Sequence, residues 1–324
     1  FPHAVIAAAN VRIGGGNGQV AVFDTVSGEK LWSAEVAGKA YSLAIARGRL
    51  LVSTSRGVIY CYGPNQAPSP RKAAPVRPVK PTQQYDKTAA GIVESTHITK
   101  GYCLILGASD KGALARELAK RTDLRIIVRE PDAQAAAGAR RSLSSEGLYG
   151  RRVVVHQGKH TQLPYVNHVF NLIVRDHPVE GAGCPGDSEE LKRLARPQGG
   201  VVLCGRTPGN LWIKERMKGS ADWTHLYANP ANTINSGDRS VRPEPTLSLQ
   251  WFGKPGPEKM IDRHLRGSAH LSCGGRLFVA AKDRIIVVDA YNGSPQWERE
   301  LEGCSRLGIV KDSNNMAVED KHLY

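Results

Sequence analysis

A glycine-bearing segment, Gly107 to Gly112, is the first place where this sequence could do chemistry, because it joins an apolar run to a helix-like run. Glycines in such a loop let a ligand approach the backbone closely. Glu130 ends the next apolar run, 18 residues after Gly112, and an acid at that spacing can accept hydrogen bonds from ribose hydroxyls. Loop and acid together predict a ribose-bearing ligand. A domain of this kind that binds no ligand is the alternative.

Two neighbouring residues, Asp176 and His177, are candidate catalytic groups because either side chain could act as a general base. The alternative is a solvated loop pair. Asp110 and Lys111 in the glycine-bearing segment could contact a charged ligand tail or pair with each other. No metal site is predicted, because the sequence has no Cys-x-x-Cys spacing. The six cysteines lie apart, at Cys61, Cys103, Cys184, Cys204, Cys273 and Cys304.

Alternating strands and helices must position these groups. Apolar strand-like runs occur at residues 102–106, 124–128, 153–155, 170–174 and 201–204, and helix-like runs at 113–121, 131–146 and 188–195. Such alternation predicts a parallel sheet with helices on both faces. The pattern shows no sixth strand before Trp223.

Two further motifs lie in this alternating segment, Phe170-Asn171-Leu172-Ile173 and the turn from Leu194 to Gly200. They are similar to the Phe-Asp-Leu-Ile strand and the Leu-x-Pro-Gly-Gly turn of the class I S-adenosylmethionine-dependent methyltransferases, so residues 88–206 resemble that family. The resemblance implies a Rossmann-like, doubly wound domain whose loop holds the methionine part of the cofactor, with ribose at the acid and adenine nearby. The implied cofactor residues are Gly107, Ala108, Ser109, Gly112, Glu130, Gly158 and Lys159.

A repeated hairpin pattern lies on both sides of this segment. An aspartate, a glycine and a tryptophan recur with offsets of four and eight residues, as Asp24, Gly28, Trp32 and as Asp289, Gly293, Trp297. The aspartate can close a turn and the glycine can take positive φ, which places the tryptophan on the next strand. A spacing of 13 residues also separates Arg49 from Tyr62 and Arg276 from Asp289.

This hairpin resembles the PQQ-like β-propeller repeat of quinoprotein dehydrogenases and outer-membrane assembly lipoproteins. The resemblance covers about residues 1–64 and 220–324, and the stretch from Asp222 to Thr233 is similar to the lead-in of such propellers. Because a blade needs about 40–45 residues, the resemblance implies two to three blades, which is a partial all-β propeller. Bound pyrroloquinoline quinone is not predicted, because the sequence has no adjacent cysteines.

The predicted fold class is therefore mixed, a partial propeller with an inserted Rossmann-like domain. The predicted boundaries are 1–64 for the first blades, 65–87 for a proline-rich basic linker, 88–206 for the inserted domain and 207–324 for truncated further blades. The chain starts at Phe1 and its last residues read like the middle of a strand, so we expect a fragment.

The net charge bears on which partners the protein could bind. Lysine and arginine number 44 against 30 acidic residues, a net charge of +14. This charge permits nucleic acid as a partner, although scattered basic residues favour an ordinary soluble surface. No apolar run reaches the 18–20 or so residues of a membrane span.

Two functions remain open. The first is an enzyme that binds S-adenosylmethionine and methylates an unknown acceptor. The second is a non-catalytic propeller scaffold that docks a partner protein and carries a degenerate methyltransferase-like domain. A propeller of this type favours a periplasmic or exported protein, whereas an active methyltransferase needs the cytoplasm, so the compartment stays open.

Overall fold

The computed structural model describes residues 3–64, 83–176, 188–203, 205, 210–241, 249–253, 269–302 and 316–324. The chain divides into two compact units, Phe1–Ala74 and Pro75–Tyr324. His177 and residues 65–82 of the predicted linker lie outside the described ranges. No helix in these ranges is long and apolar enough to cross a membrane.

The first unit contains one antiparallel sheet whose six strands follow one another in sequence order. Its strands are β1 (Ala4–Ala8), β2 (Val11–Gly15), β3 (Asn17–Asp24), β4 (Lys30–Ala46), β5 (Arg49–Thr54) and β6 (Ile59–Tyr62). Alternate residues of these strands point to opposite faces, and one face supplies a small core that includes Ile13, Val20 and Val52.

The second unit contains a six-stranded sheet with the order β12-β11-β10-β7-β8-β9. Its elements are α1 (Gln83–Thr96), β7 (Tyr102–Leu106), α2 (Ser109–Arg121), β8 (Arg125–Glu130), α3 (Ala133–Ser145), β9 (Val153–Gln157), β10 (Leu172–Arg175), α4 (Glu189–Leu194), β11 (Val201–Leu203) and β12 (Leu211–Ile213). Strands β7 to β11 are parallel, which confirms the Rossmann-like prediction. Helix α1 includes the last residues of the predicted linker.

Apolar side chains cover both faces of this parallel sheet, which is why its strands are apolar almost throughout. On β7, Cys103 and Ile105 belong to one core together with α1, α2 and α3. Leu104 and Leu106 belong to the opposite core together with α4.

The expectation that no sixth strand precedes Trp223 is wrong. Strand β12 pairs antiparallel with β11, with Leu211 opposite Leu203 and Ile213 opposite Val201. It has three residues, and a run that short carries no readable periodicity. Its pairing with an already formed sheet is what makes it a strand.

The second unit also holds a four-stranded antiparallel meander of β13 (Leu271–Cys273), β14 (Arg276–Ala281), β15 (Arg284–Asp289) and β16 (Pro295–Glu300). Its pairing repeats that of β1 to β4 with a constant shift of 289 − 24 = 265 residues. Three matched pairs show this. The pair Ile6–Ile13 corresponds to Leu271–Phe278, the pair Val11–Asp24 to Arg276–Asp289, and the pair Val22–Trp32 to Val287–Trp297.

The two hairpin turns also match in detail. The N–H of Gly28 donates to the carbonyl of Asp24 at 3.1 Å, and that of Gly293 to the carbonyl of Asp289 at 2.9 Å. Both glycines have positive φ, 73° and 68°. The predicted repeat is thus a real structural repeat over four strands.

The 13-residue spacing is a weaker guide than the hairpin. Arg276 pairs with Asp289, but Tyr62 pairs with Leu50 and not with Arg49, because the turns between the two strand pairs differ in length. Within the described residues the antiparallel strands form two separate sheets and no closed ring of blades. The propeller itself is not established by this fold.

Candidate functional site

The loop after β7 and the residues that end β8 and β10 meet at one edge of the parallel sheet, because the carboxyl ends of parallel strands lie together. The N–H of Gly107 donates to the carbonyl of Arg129 on β8 at 2.8 Å. The N–H of Asp176, directly after β10, donates to the carbonyl of Leu106 at 2.8 Å. The predicted loop, Glu130 and Asp176 are therefore brought together.

Glu130 holds the start of the loop. One carboxylate oxygen accepts a hydrogen bond from the N–H of Ala108 at 2.7 Å, and the other accepts from the N–H of Asp132 at 3.0 Å. The side chain is buried, with 7% of the residue exposed. A carboxylate has about four acceptor positions, and these two backbone contacts use half of them.

Asp176 holds the next residue of the loop. Its Oδ2 accepts from the N–H of Ser109 at 2.8 Å, and the residue is 1% exposed. Two successive loop N–H groups, of Ala108 and Ser109, thus donate to buried carboxylates. The geometry makes Asp176 a positioning group for the loop, while its role as a general base stays a prediction.

The first turn of α2, directly after the loop, is strained. Asp110 and Lys111 have left-handed backbone angles, with φ of 45° and 58°, and Gly112 follows with φ of 80°. Side chains disfavour this region, and such strain concentrates at functional sites. Gly112 itself packs on α3, since a Cβ there would lie 3.4 Å from Leu143 Cδ1. Its contribution is backbone freedom and helix packing.

Gly158 and Lys159, predicted near the adenine, lie just after β9. Gly158 has φ of 147°, and a Cβ at this position would overlap the Nη2 atom of Arg129. Arg129 Nε donates to the carbonyl of Lys159 at 3.1 Å. Lys159 is exposed. The space beside Gly158 is therefore occupied by a guanidinium, which the sequence analysis did not anticipate.

The sequence analysis also missed His156 and Tyr165, which accompany Arg129 at this edge. Both Arg129 and His156 lie at the polar ends of apolar strand runs, and that position was the available signal. Tyr165 offered no such signal, because only the fold brings it to the end of β9.

Comparisons with known proteins give a distant structural likeness only. No protein-family model matches the sequence, and no curated protein matches it. One similar solved structure is a protein from Methanococcus maripaludis assigned as an S-adenosyl-L-methionine-dependent methyltransferase, with 25% identity over 38% of this chain and 55% of that chain, and a TM-score of 0.34.

Two others are similar at lower identity. A protein from Galdieria sulphuraria assigned as a sarcosine dimethylglycine methyltransferase has 20% identity over 37% of this chain and 45% of that chain, with a TM-score of 0.33. Geranyl diphosphate C-methyltransferase from Streptomyces coelicolor has 12% identity over 42% and 55%, with a TM-score of 0.32. The chain thus spans about half the length of these structures.

Proposed function

We propose that the second unit binds S-adenosylmethionine at the carboxyl edge of its parallel sheet and transfers the methyl group to an acceptor. The observation that carries this proposal is the pair of buried carboxylates, Glu130 and Asp176, on two successive N–H groups of the loop. They make the loop a site for a ligand with hydroxyl and cationic groups.

A dinucleotide fits this loop poorly. Diphosphate binding needs loop and helix N–H groups that point at the anion. Here the N–H groups of Ala108 and Ser109 already donate to carboxylates, which would repel a phosphate. S-adenosylmethionine instead offers a ribose diol, a sulfonium and an ammonium group. The acceptor positions that the two backbone contacts leave on Glu130 suit the diol.

S-adenosylmethionine supplies a methyl group on a positively charged sulfur. Transfer requires that the acceptor lone pair bond to the methyl carbon while the carbon–sulfur bond breaks, its electron pair stays on sulfur, and the acceptor loses a proton. The chain contributes mainly position: Glu130 orients the ribose and Asp176 fixes the loop. Asp176 and His177 stay the proposed bases for any acceptor proton.

Titration calorimetry with S-adenosylhomocysteine tests this site. We expect a Kd below about 100 μM, which is a binding free energy more negative than about −5.5 kcal/mol. Glu130→Gln should weaken binding about 10- to 100-fold, because hydrogen bonds to a charged group contribute about 1.5–3 kcal/mol. Glu94→Gln removes the same charge from an exposed position on α1 and should leave the affinity unchanged.

Two results would overturn the proposal. One is no binding heat at millimolar ligand by a protein with native near-UV circular dichroism. The other is an equal loss of affinity in Glu130→Gln and Glu94→Gln, which would show that the loss comes from the change in net charge and not from a contact of Glu130.

We also infer a second candidate, a scaffold of PQQ-like repeats that docks a partner protein. The observation in its favour is the identical strand pairing of β1–β4 and β13–β16, since repeats of this kind build extended binding surfaces. This function would be favoured if the chain bound no S-adenosylhomocysteine and if its Glu130→Gln variant still bound a partner protein. Nucleic acid stays a further possible partner class on the charge of +14.

A further inference from the structure

A cluster of basic and hydrogen-bonding side chains lies at the end of β8 and β9. Arg129 and His156 are direct neighbours in the register of these two strands, and Tyr165 follows shortly after β9. Since successive residues of a strand point to opposite faces, Arg129 lies on the other face of β8 from Glu130. The cluster is therefore separate from the loop carboxylates but only one residue away from them.

The cluster is organised by specific contacts. His156 Nδ1 lies 3.0 Å from the Tyr165 hydroxyl, and the two rings stack with centroids 5.9 Å apart. Gly158, which has no side chain, leaves room for the Arg129 guanidinium against the backbone. Behind the cluster, Arg140 on α3 donates through Nε and Nη2 to the carbonyl of Val155, at 3.1 and 2.9 Å.

In the part of the chain that the structure describes, no carboxylate neutralises the positive charge of this cluster. Within the described residues, Arg129, Arg140 and Lys159 form no ion pair with a carboxylate, whereas Arg193 and Arg196 each have one. Burial lowers the pKa of His156, and the positive charges of Arg129 and Arg140 lower it further. Burial raises the pKa of Tyr165, against the effect of Arg129, so its hydroxyl stays a donor.

We propose that Arg129, His156 and Tyr165 form a binding site for an anionic group, a carboxylate or a phosphate, of a ligand that binds beside Gly158. The planar donors of an arginine suit such an oxyanion. Because His156 Nδ1 and the Tyr165 hydroxyl are hydrogen-bonded to each other, the pair adds one outward donor when the imidazole is neutral and two when it is protonated. The Gly107 N–H to Arg129 carbonyl bond places the backbone of Arg129 beside the loop, whereas its guanidinium lies against Gly158.

Binding of inorganic sulfate tests the site without any cofactor, because the charge of sulfate is constant over the pH range used. We expect millimolar binding, followed by the His156 ring signals in NMR spectra. Bound sulfate favours the imidazolium, so the pKa of His156 should rise and affinity should increase as the pH falls from 8 to 5.5. The charges that act on His156 are those of Arg129 and Arg140, and Tyr165 is hydrogen-bonded to its ring.

Two variants separate this site from general attraction. Arg129→Gln should weaken sulfate binding at least fivefold, and His156→Gln should remove the pH dependence. Arg125→Gln is the matched control, since Arg125 is exposed and begins the same strand on the same face. This variant should change neither the sulfate affinity nor its pH dependence. Phosphate and malonate titrations then show whether the site prefers a phosphate or a carboxylate.

Equal weakening by Arg129→Gln and Arg125→Gln would overturn this inference, as would a His156 pKa that sulfate does not move. The proposed function fails separately. Sulfate binding without S-adenosylhomocysteine binding would contradict the cofactor site and retain the anion site. S-adenosylhomocysteine binding without sulfate binding would support the cofactor site and contradict the anion site.

Discussion

Asp289→Ala is expected to lower the free energy of unfolding of the second unit by about 3 kcal/mol, because it leaves the largely buried guanidinium of Arg196 without its carboxylate. Asp289 is fully buried. Its Oδ2 accepts from the Nε of Arg196 and, at 3.0 Å, from the Nδ2 of Asn171, and its Oδ1 accepts from the N–H of Tyr291 at 2.9 Å. The carboxylate therefore joins the meander to the parallel sheet.

Asp24→Ala is the matched control, because Asp24 occupies the equivalent hairpin position in the first unit. There the carboxylate accepts only local bonds, from the N–H groups of Val26 at 2.9 Å and Ser27 at 2.8 Å in an exposed turn. Its loss should cost much less than the loss of Asp289, because water competes for these exposed hydrogen bonds. Hydrogen exchange with peptide resolution, measured by mass spectrometry, reports each unit separately, as is needed when two units do not unfold together. Similar losses at the two positions would show that the buried contacts of Asp289 contribute little.

Asn171→Asp is expected to cost about 3 kcal/mol at pH 7, although the two side chains have nearly the same shape. Asn171 Nδ2 donates to Asp289 at 3.0 Å, and its Oδ1 accepts from Asn292 Nδ2 at 2.8 Å and from the N–H of Tyr102 at 3.0 Å. The aspartate would replace the donor to Asp289 with a second carboxylate. Two such charges about 3 Å apart repel by roughly 5 kcal/mol at an effective dielectric constant of 20, and Arg196 offsets part of this.

The pH dependence of this variant gives the sharper test. A carboxyl group beside Asp289 has its folded-state pKa raised above the unfolded value, so the folded variant binds a proton more readily than the unfolded one. The deficit relative to the unsubstituted protein should therefore be full at neutral pH and shrink as the pH falls towards 4–5. Denaturant unfolding at pH 7 and pH 5 measures it.

Asn167→Asp serves as the control for Asn171→Asp. Asn167 is exposed and its Oδ1 accepts from Arg193 Nη1 at 2.7 Å, so a carboxylate there meets a cation and should cause no loss. A deficit of Asn171→Asp that does not change with pH would contradict the explanation by paired carboxylates. The contact with Asp289 is also a physical reason for an amide and not a carboxylate at position 171, directly before β10.

Local and periodic features could be predicted from the sequence alone. The parallel sheet was readable because its strands are buried on both faces and are therefore apolar throughout. The hairpin repeat was readable because the turn from Asp289 to Gly293 is closed by bonds between residues a few positions apart. The position of Glu130 at the end of β8 followed from the same strand pattern. Ring closure could not be decided in this way, because it depends on pairing between blades.

The tertiary structure alone decided what these residues do, because their partners are distant in the sequence. Asp24 and Asp289 have the same local turn, but only Asp289 meets Asn171, 118 positions away. Gly101 gives no sequence signal, yet a Cβ there would overlap the side chain of Asn171. Likewise, the sequence indicates an acid after β8, but the packing of three strands determines that Glu130 and Asp176 each take a loop N–H. The chemical type of each side chain follows from the sequence, whereas the electrostatic field and the hydrogen-bond partners around it are determined by the whole fold.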